Sequence, residues 1–191
     1  MKIKAVIFDL DGTLTEPLLD FNQIRKEIGL PSTAGGILEE MRHMSPQQQQ
    51  KAWEILNKHE KYAAVNSRLN HGAGEVLTKL RQAGYPIGLL TRNTMENALQ
   101  VANKHNLTFD GILDRDSGPA KPDGFGVQKL CEIFGVNPSE TLVVGDFLHD
   151  IQAARNAGAI AVLLKTHADA DKFESFSDYS IYHLEEMFDI I

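Results

Sequence analysis

The sequence predicts an α/β fold: a doubly wound, mostly parallel sheet with a Rossmann-like core, into which an all-helical subdomain is inserted after the first strand. Three observations carry this. Short apolar runs without polar alternation, such as Val6-Ile7-Phe8 and Leu142-Val143-Val144, read as strands buried on both faces of a parallel sheet. Helical segments closed by Gly84, Gly135 and Gly158 alternate with these runs, which implies right-handed crossovers with helices on both faces. Residues from about Leu18 to Asn70 break the alternation and carry helical patterns only.

In chain order, the first strand begins at Ile3 and runs into Asp9-Leu10-Asp11-Gly12-Thr13, with a short turn over Thr13 to Pro17. Asp20 can cap a helix over Phe21–Ile28 that Gly29 closes, with Pro31 just beyond. A second helical pattern spans Ser32 to Met44, weakened at its start by Gly35 and Gly36. Ser45-Pro46 is a helix start, a hydroxyl followed by proline in the first turn. The helix it opens reaches about Asn66, with Ile55, Leu56, Tyr62, Ala63 and Leu69 as its apolar stripe. Then come a helix over Ala73–Ala83, a strand over Pro86–Thr91, and a helix from Thr94 to about His105. A short strand over Phe109–Leu113 and a helix over Phe125–Phe134 follow. Thr141–Val144 is a strand, Asp150–Ala157 a helix and Ala159–Leu164 another strand. Ser180–Ile191 reads as an edge strand and a final helix.

Composition narrows the function. The 191 residues are 42% hydrophobic, enough for a sizeable core, and the formal net charge is −7. That balance argues against nucleic acid or an anionic membrane as a main partner, since both need a basic surface. The lysine-bearing N-terminus superficially resembles a signal peptide, but Asp9 and Asp11 interrupt its apolar run. Nothing approaches the ~20 apolar residues that span a bilayer. The single cysteine, Cys131, sits in an apolar helical pattern and reads as a buried thiol in a reducing compartment. The expected location is cytoplasmic.

In parallel sheets ligands bind at the carboxyl ends of strands, and there the polar residues collect. Asp9 and Asp11, two apart on an extended segment, point to one side, and like charges so close are costly without a cation or a retained proton. Thr91-Arg92-Asn93 leads from a strand into a helix, where a hydroxyl, an amide and free N–H groups can cradle an anion; Thr91 and Asn93 can equally cap the helix. Lys121 lies between Pro119 and Pro122 in a restricted backbone ahead of a helix. Val144-Gly145-Asp146 again runs a buried strand into a carboxylate, with Asp150 four residues on near a helix start, where the dipole tolerates negative charge. Hard oxygen ligands in such a cluster suit Mg²⁺. Lys121 would offset the remaining charge and Thr91 would hold a phosphate oxygen, a set that reads as a phosphoryl-transfer site.

The ordered set Asp9-Leu10-Asp11-Gly12-Thr13, Thr91, Lys121-Pro122 and Gly145-Asp146 with Asp150 resembles the haloacid dehalogenase-like superfamily. The likeness is to its phosphatases with a small helical cap after the first strand, the phosphoglycolate-phosphatase-like branch. The resemblance implies a core over residues 1–16 and 71–191 and a cap over 17–70. It implies that Asp9 is the nucleophile, forming an aspartyl-phosphate, and that Asp11 is the general acid and base. Mg²⁺ would be held by Asp9, the backbone carbonyl of Asp11, and Asp146, with Asp150 acting through water or by orienting Lys121. Thr91, Arg92, Asn93 and Lys121 would bind the phosphoryl group of a small phosphorylated substrate. Asp11 favours phosphate esters over carbon–halogen bonds, because dehalogenases of the superfamily lack a second acid there. Relatives commonly continue the lysine motif as Lys-Pro-x-Pro, whereas here Gly124 stands in the last place. Arg25, Lys26, Arg42, His43 and Arg68 are the cationic cap residues that could reach a substrate. A phosphosugar mutase on the same scaffold is the alternative. A phospho-accepting receiver domain fits less well, since its acidic pair is adjacent and it has no helical insert.

Overall fold

A computed structural model describes residues 2–191. Contacts divide the chain into two compact units, one comprising residues up to Pro17 with 67–191, the other Leu18–Asn66.

The larger unit is a six-stranded parallel sheet with strands β1 (Ala5–Phe8), β2 (Ile87–Leu90), β3 (Gly111–Leu113), β4 (Thr141–Gly145), β5 (Ile160–Leu164) and β6 (Tyr179–Ile181). Their order is β3-β2-β1-β4-β5-β6. The winding reverses between β1 and β4, which makes their carboxyl ends the switch point where a ligand crevice is expected. Register brings those ends level: Phe8 pairs with Val144 on one side and with Leu89 on the other. β1, β2 and β4 are fully buried, as their unbroken apolar runs require.

The helical unit holds α1 (Phe21–Ile28), α2 (Ile37–Met41) and α3 (Pro46–Asn66). The larger unit carries α4 (Ala73–Gln82), α5 (Met95–Lys104), α6 (Phe125–Phe134), α7 (Leu148–Ala157) and the short α8 (Ala170–Phe173). The punctuation that the sequence displays is the punctuation the chain uses. Asp20 accepts from the Gln23 amide at 2.9 Å, and Thr94 caps α5 by accepting from the Asn97 amide at 3.3 Å. Gly29, Gly135 and Gly158 end α1, α6 and α7 in the left-handed conformation. Ser45 and Gln48 form a reciprocal capping box at the start of α3. In the larger unit Ile7, Leu90, Val143, Leu130, Ile151 and Leu163 lie in one apolar cluster between sheet and helices. The helical unit has its own core of Ile24, Ile37, Met41, Ala52 and Leu56.

Several expectations change. The pattern over Ser32–Met44 yields helix only at Ile37–Met41, because Gly36 is extended and adds no side-chain cap. Tyr62 is 65% exposed; the buried stripe of α3 runs instead through Ala52, Leu56, Glu60 and Ala63, four, four and three residues apart as one helix face requires. The final helix expected at the C-terminal end is the 3₁₀-helix Leu184–Asp189. The unit boundary falls at 66/67 rather than 70/71. Arg68, Leu69 and Asn70 belong with the sheet because Leu69 bridges Thr15 and the Arg68 carbonyl accepts from the Glu16 amide at 2.9 Å. No helix among the described residues is long and apolar enough to cross a membrane.

Candidate active site

The carboxyl end of β1 carries Asp9, whose amide still donates to Val144 of β4 at 2.9 Å, so the residue is fixed to the sheet. Its side chain is buried and meets Lys121, whose ammonium lies 2.5 Å from Asp9 Oδ1, 2.6 Å from Asp150 Oδ1 and 2.7 Å from the Leu90 carbonyl. All three ammonium protons are thus matched by acceptors. Lys121 is only 3% exposed. The Arg92 guanidinium, 2.5 Å from the Lys121 carbonyl, holds the loop that delivers it. The phosphoryl-binding part that the family resemblance implies for Arg92 would therefore fall to its backbone N–H, since the guanidinium lies on this loop.

Asp146 follows β4 and lies against Gly12. A Cβ on Gly12 would come within 2.4 Å of Asp146 Oδ2, and Gly12 adopts φ +91°, so glycine is required there for both reasons. Thr13 Oγ1 reaches Asp146 Oδ1 at 3.5 Å. Asp150, in the first turn of α7, caps that helix by accepting from the Phe147 amide at 3.1 Å and gives its other oxygen to Lys121. Carboxylate oxygens of Asp9, Asp146 and Asp150 lie within 4.8 Å of one another. Asp11 stands apart from this trio. Its Oδ2 accepts from Asn93 Nδ2 at 3.1 Å, and Asn93 is itself oriented by the Thr94 amide and the buried Asn97 side chain, each 2.8 Å from its Oδ1. Thr91, buried at the end of β2, accepts from the Asn93 amide at 3.0 Å. The helix cap of α5 is Thr94, leaving Thr91 and Asn93 to shape the turn before it.

Electrostatics match this crowding. Burial raises the Asp9 carboxyl to about 7, with Lys121 opposing the rise and Asp150 and Asp11 adding to it. Asp146 is raised well above the carboxylate range, by burial first and then by Asp9 and Asp150. Asp11 is raised by burial, with Asn93 and Lys121 offsetting part of it. Burial disfavours the charged Lys121, but Asp150 and Asp9 outweigh it and hold the ammonium above its ordinary range. One lysine does not neutralise this many carboxylates, and the trio offers only hard oxygen donors. These residues fit a hard divalent cation.

The match to known proteins agrees with the geometry. Residues 3–158 fit the family model of haloacid dehalogenase-like hydrolases. The chain belongs to this family. Among haloacid dehalogenase-like relatives, a hydrolase domain-containing protein of Arabidopsis thaliana is 32% identical over 85% of this chain and 71% of its own length. A phosphoglycolate phosphatase of Chromobacterium violaceum is 27% identical over 99% of this chain and 96% of its own. The solved structure of a hydrolase from Pseudomonas syringae superimposes with a TM-score of 0.83 at 20% identity, covering 97% of this chain and 96% of that one. This last likeness speaks to the fold.

Three contributors carry no local signal in the sequence. Asn70 donates its side-chain amide to the Gly12, Thr13 and Thr15 carbonyls at 2.9, 2.8 and 3.1 Å. Thr166, at the end of β5, donates to the Gly12 carbonyl at 2.7 Å. Asn97 sits one helical turn beyond Asn93 and reads in sequence as an ordinary helix residue. Thr13, by contrast, stands inside the first motif.

Proposed function

We propose that this hydrolase is a Mg²⁺-dependent phosphomonoesterase that acts on a small phosphorylated metabolite through an aspartyl-phosphate on Asp9. The observation that carries the reading is the buried Lys121 ammonium shared between Asp9 and Asp150, beside a third carboxylate at the same sheet edge. Asp9 and Asp146, with the Asp11 carbonyl, would hold the ion, and Asp150 orients Lys121. Bound Mg²⁺ supplies positive charge that favours the ionised carboxylates and lessens their repulsion of a phosphate dianion.

Lys121 occupies Asp9 Oδ1, so attack on phosphorus falls to the other carboxylate oxygen. As that O–P bond forms, the bond from phosphorus to the substrate alkoxide breaks, and Asp11 gives its proton to the departing oxygen. The raised Asp11 carboxyl suits it to hold that proton at the start. A water then attacks phosphorus, Asp11 takes its proton, and the Asp9–phosphorus bond breaks to release phosphate. Thr91 Oγ1 and the N–H groups of the following turn bind the phosphoryl oxygens, and Lys121 stabilises their charge. The helical unit serves as the cap. The phosphatase relative makes phosphoglycolate the first substrate to try.

The test is phosphate release from a panel of phosphorylated metabolites with and without Mg²⁺, for wild type and Asp9→Asn. Mg²⁺-dependent release that Asp9→Asn abolishes, in a variant of unchanged circular dichroism, is expected. Near-normal turnover by Asp9→Asn rules the mechanism out.

A further inference from the structure

We propose that Asn70 is a positioning residue for Asp11. Its backbone and side chain together anchor four successive carbonyls of the loop that carries the proton-transferring carboxyl, and Thr166, just beyond the carboxyl end of β5, secures the first of them. The inference rests on the proton-transfer role of Asp11 given above.

The loop after β1 folds tightly on itself. The Leu14 and Thr15 amides both reach the Leu10 carbonyl at 3.0 Å, and the Gly12 amide reaches Thr15 at 3.0 Å. These bonds use the Gly12, Leu14 and Thr15 amides but not the carbonyls of residues 12–14, and the Thr15 carbonyl accepts only one of them. Asn70 answers all four. Its side-chain amide serves Gly12, Thr13 and Thr15, and its backbone N–H donates to Leu14 at 3.0 Å. An amide nitrogen has two protons, so three acceptors within 3.1 Å share them and are drawn towards one point. Neighbouring Leu69 bridges Thr15, so Asn70 is itself held in register. Thr166 adds a second donor to Gly12, the residue next to Asp11.

Asp11 is consequently fixed from two directions, its carboxyl by Asn93 and its backbone through Gly12 by Asn70 and Thr166. A general acid must stand within hydrogen-bond reach of the oxygen it protonates. A displacement of about 1 Å costs roughly 10²-fold in rate. Loosening the loop therefore harms the substrates that need a proton at the leaving oxygen. Esters whose leaving group departs as a stable anion feel it less.

The experiment compares kcat/KM for p-nitrophenyl phosphate, which has an acidic phenol leaving group, with that for the alkyl phosphate wild type hydrolyses best. For Asn70→Ala the alkyl-to-aryl ratio should fall about tenfold or more, in the direction expected of Asp11→Asn. Asn70→Asp keeps the shape but turns an oxygen towards the carbonyls, so it should fare no better than alanine. Thr166→Val should lower the ratio by a smaller factor and Thr166→Ser should restore it, which keeps the test open if Asn70 variants fold poorly. Equal losses on both esters, rescue by Asn70→Asp, or unchanged ratios in both Asn70→Ala and Thr166→Val would overturn the inference. If Asp11→Asn itself shows no dependence on the leaving group, the assignment of Asp11 fails, and the positioning role with it.

Discussion

Replacing Lys121 by methionine removes its ammonium from a buried site while keeping much of the side-chain volume. Wild type places that ammonium 2.5 and 2.6 Å from two carboxylates, with the lysine 3% exposed. Stranding a buried charge by deleting its partner costs ~3–5 kcal/mol. Asp9 limits the loss, because its carboxyl already stands at about 7 with Lys121 opposing the rise. Without the lysine it retains a proton near neutrality, which removes one of the stranded charges. The lower end, ~3 kcal/mol, is therefore expected. For a chain of this size that is roughly 6–12 °C in melting temperature. The assay is a thermal melt followed by circular dichroism in metal-free buffer at about pH 7.5. The deficit should shrink towards about pH 5, where carboxylates take up protons, and also shrink when Mg²⁺ is added. A variant that melts within ~2 °C of wild type at neutral pH, or whose deficit grows in acid, would refute the reasoning.

Other consequences are equally open to measurement. Gly12→Ala combines a left-handed backbone with a Cβ 2.4 Å from Asp146 Oδ2; it should cost ~1–3 kcal/mol in a denaturant titration and weaken Mg²⁺ binding in calorimetry. Gly124→Ala puts a Cβ 2.8 Å from the Ala157 backbone nitrogen, where no side chain can yield, so a loss of at least ~1 kcal/mol is expected with Mg²⁺ affinity unchanged. Asp9 and Asp146 are raised in the folded state. Their contribution to metal-free stability is thus full below the ordinary carboxylate range and is lost as pH rises through about 7 for Asp9. Ligands must be deprotonated to bind metal, so the melting-temperature gain from Mg²⁺ should increase from acid to neutral pH; a gain that declines over that range contradicts the site. Cys131 is 2% exposed and burial raises its thiol, so iodoacetamide should label it only after denaturation.

Much of this architecture is local and therefore readable. Gly29, Gly135 and Gly158 stop helices because their left-handed backbone is cheap without a Cβ, and Thr94 starts one because its hydroxyl takes an orphan amide. The apolar runs of β1 and β4 state their own burial, and the carboxylates behind them mark the sheet edge. Tertiary pairing is where reading stops. Nothing near Asn70 indicates that its amide meets carbonyls 55–58 residues earlier, and Thr166 meets Gly12 across 154 residues. The residues around Arg92 leave open whether it faces solvent or substrate; only the folded chain shows its guanidinium on the Lys121 carbonyl. Tyr62 fitted an apolar stripe by residue type, yet the helix turns it outwards, since phase is set by the small Ala52 and Ala63 packing inward.

The most direct measurement is rapid acid quench of wild type turning over a phosphate monoester with Mg²⁺, followed by peptide mass spectrometry. The account predicts a phosphoryl group on the peptide bearing Asp9, localised to that residue and absent in Asp9→Asn. A phosphoryl group on any other side chain, or sustained phosphate release with no modified peptide at any quench time, would contradict it.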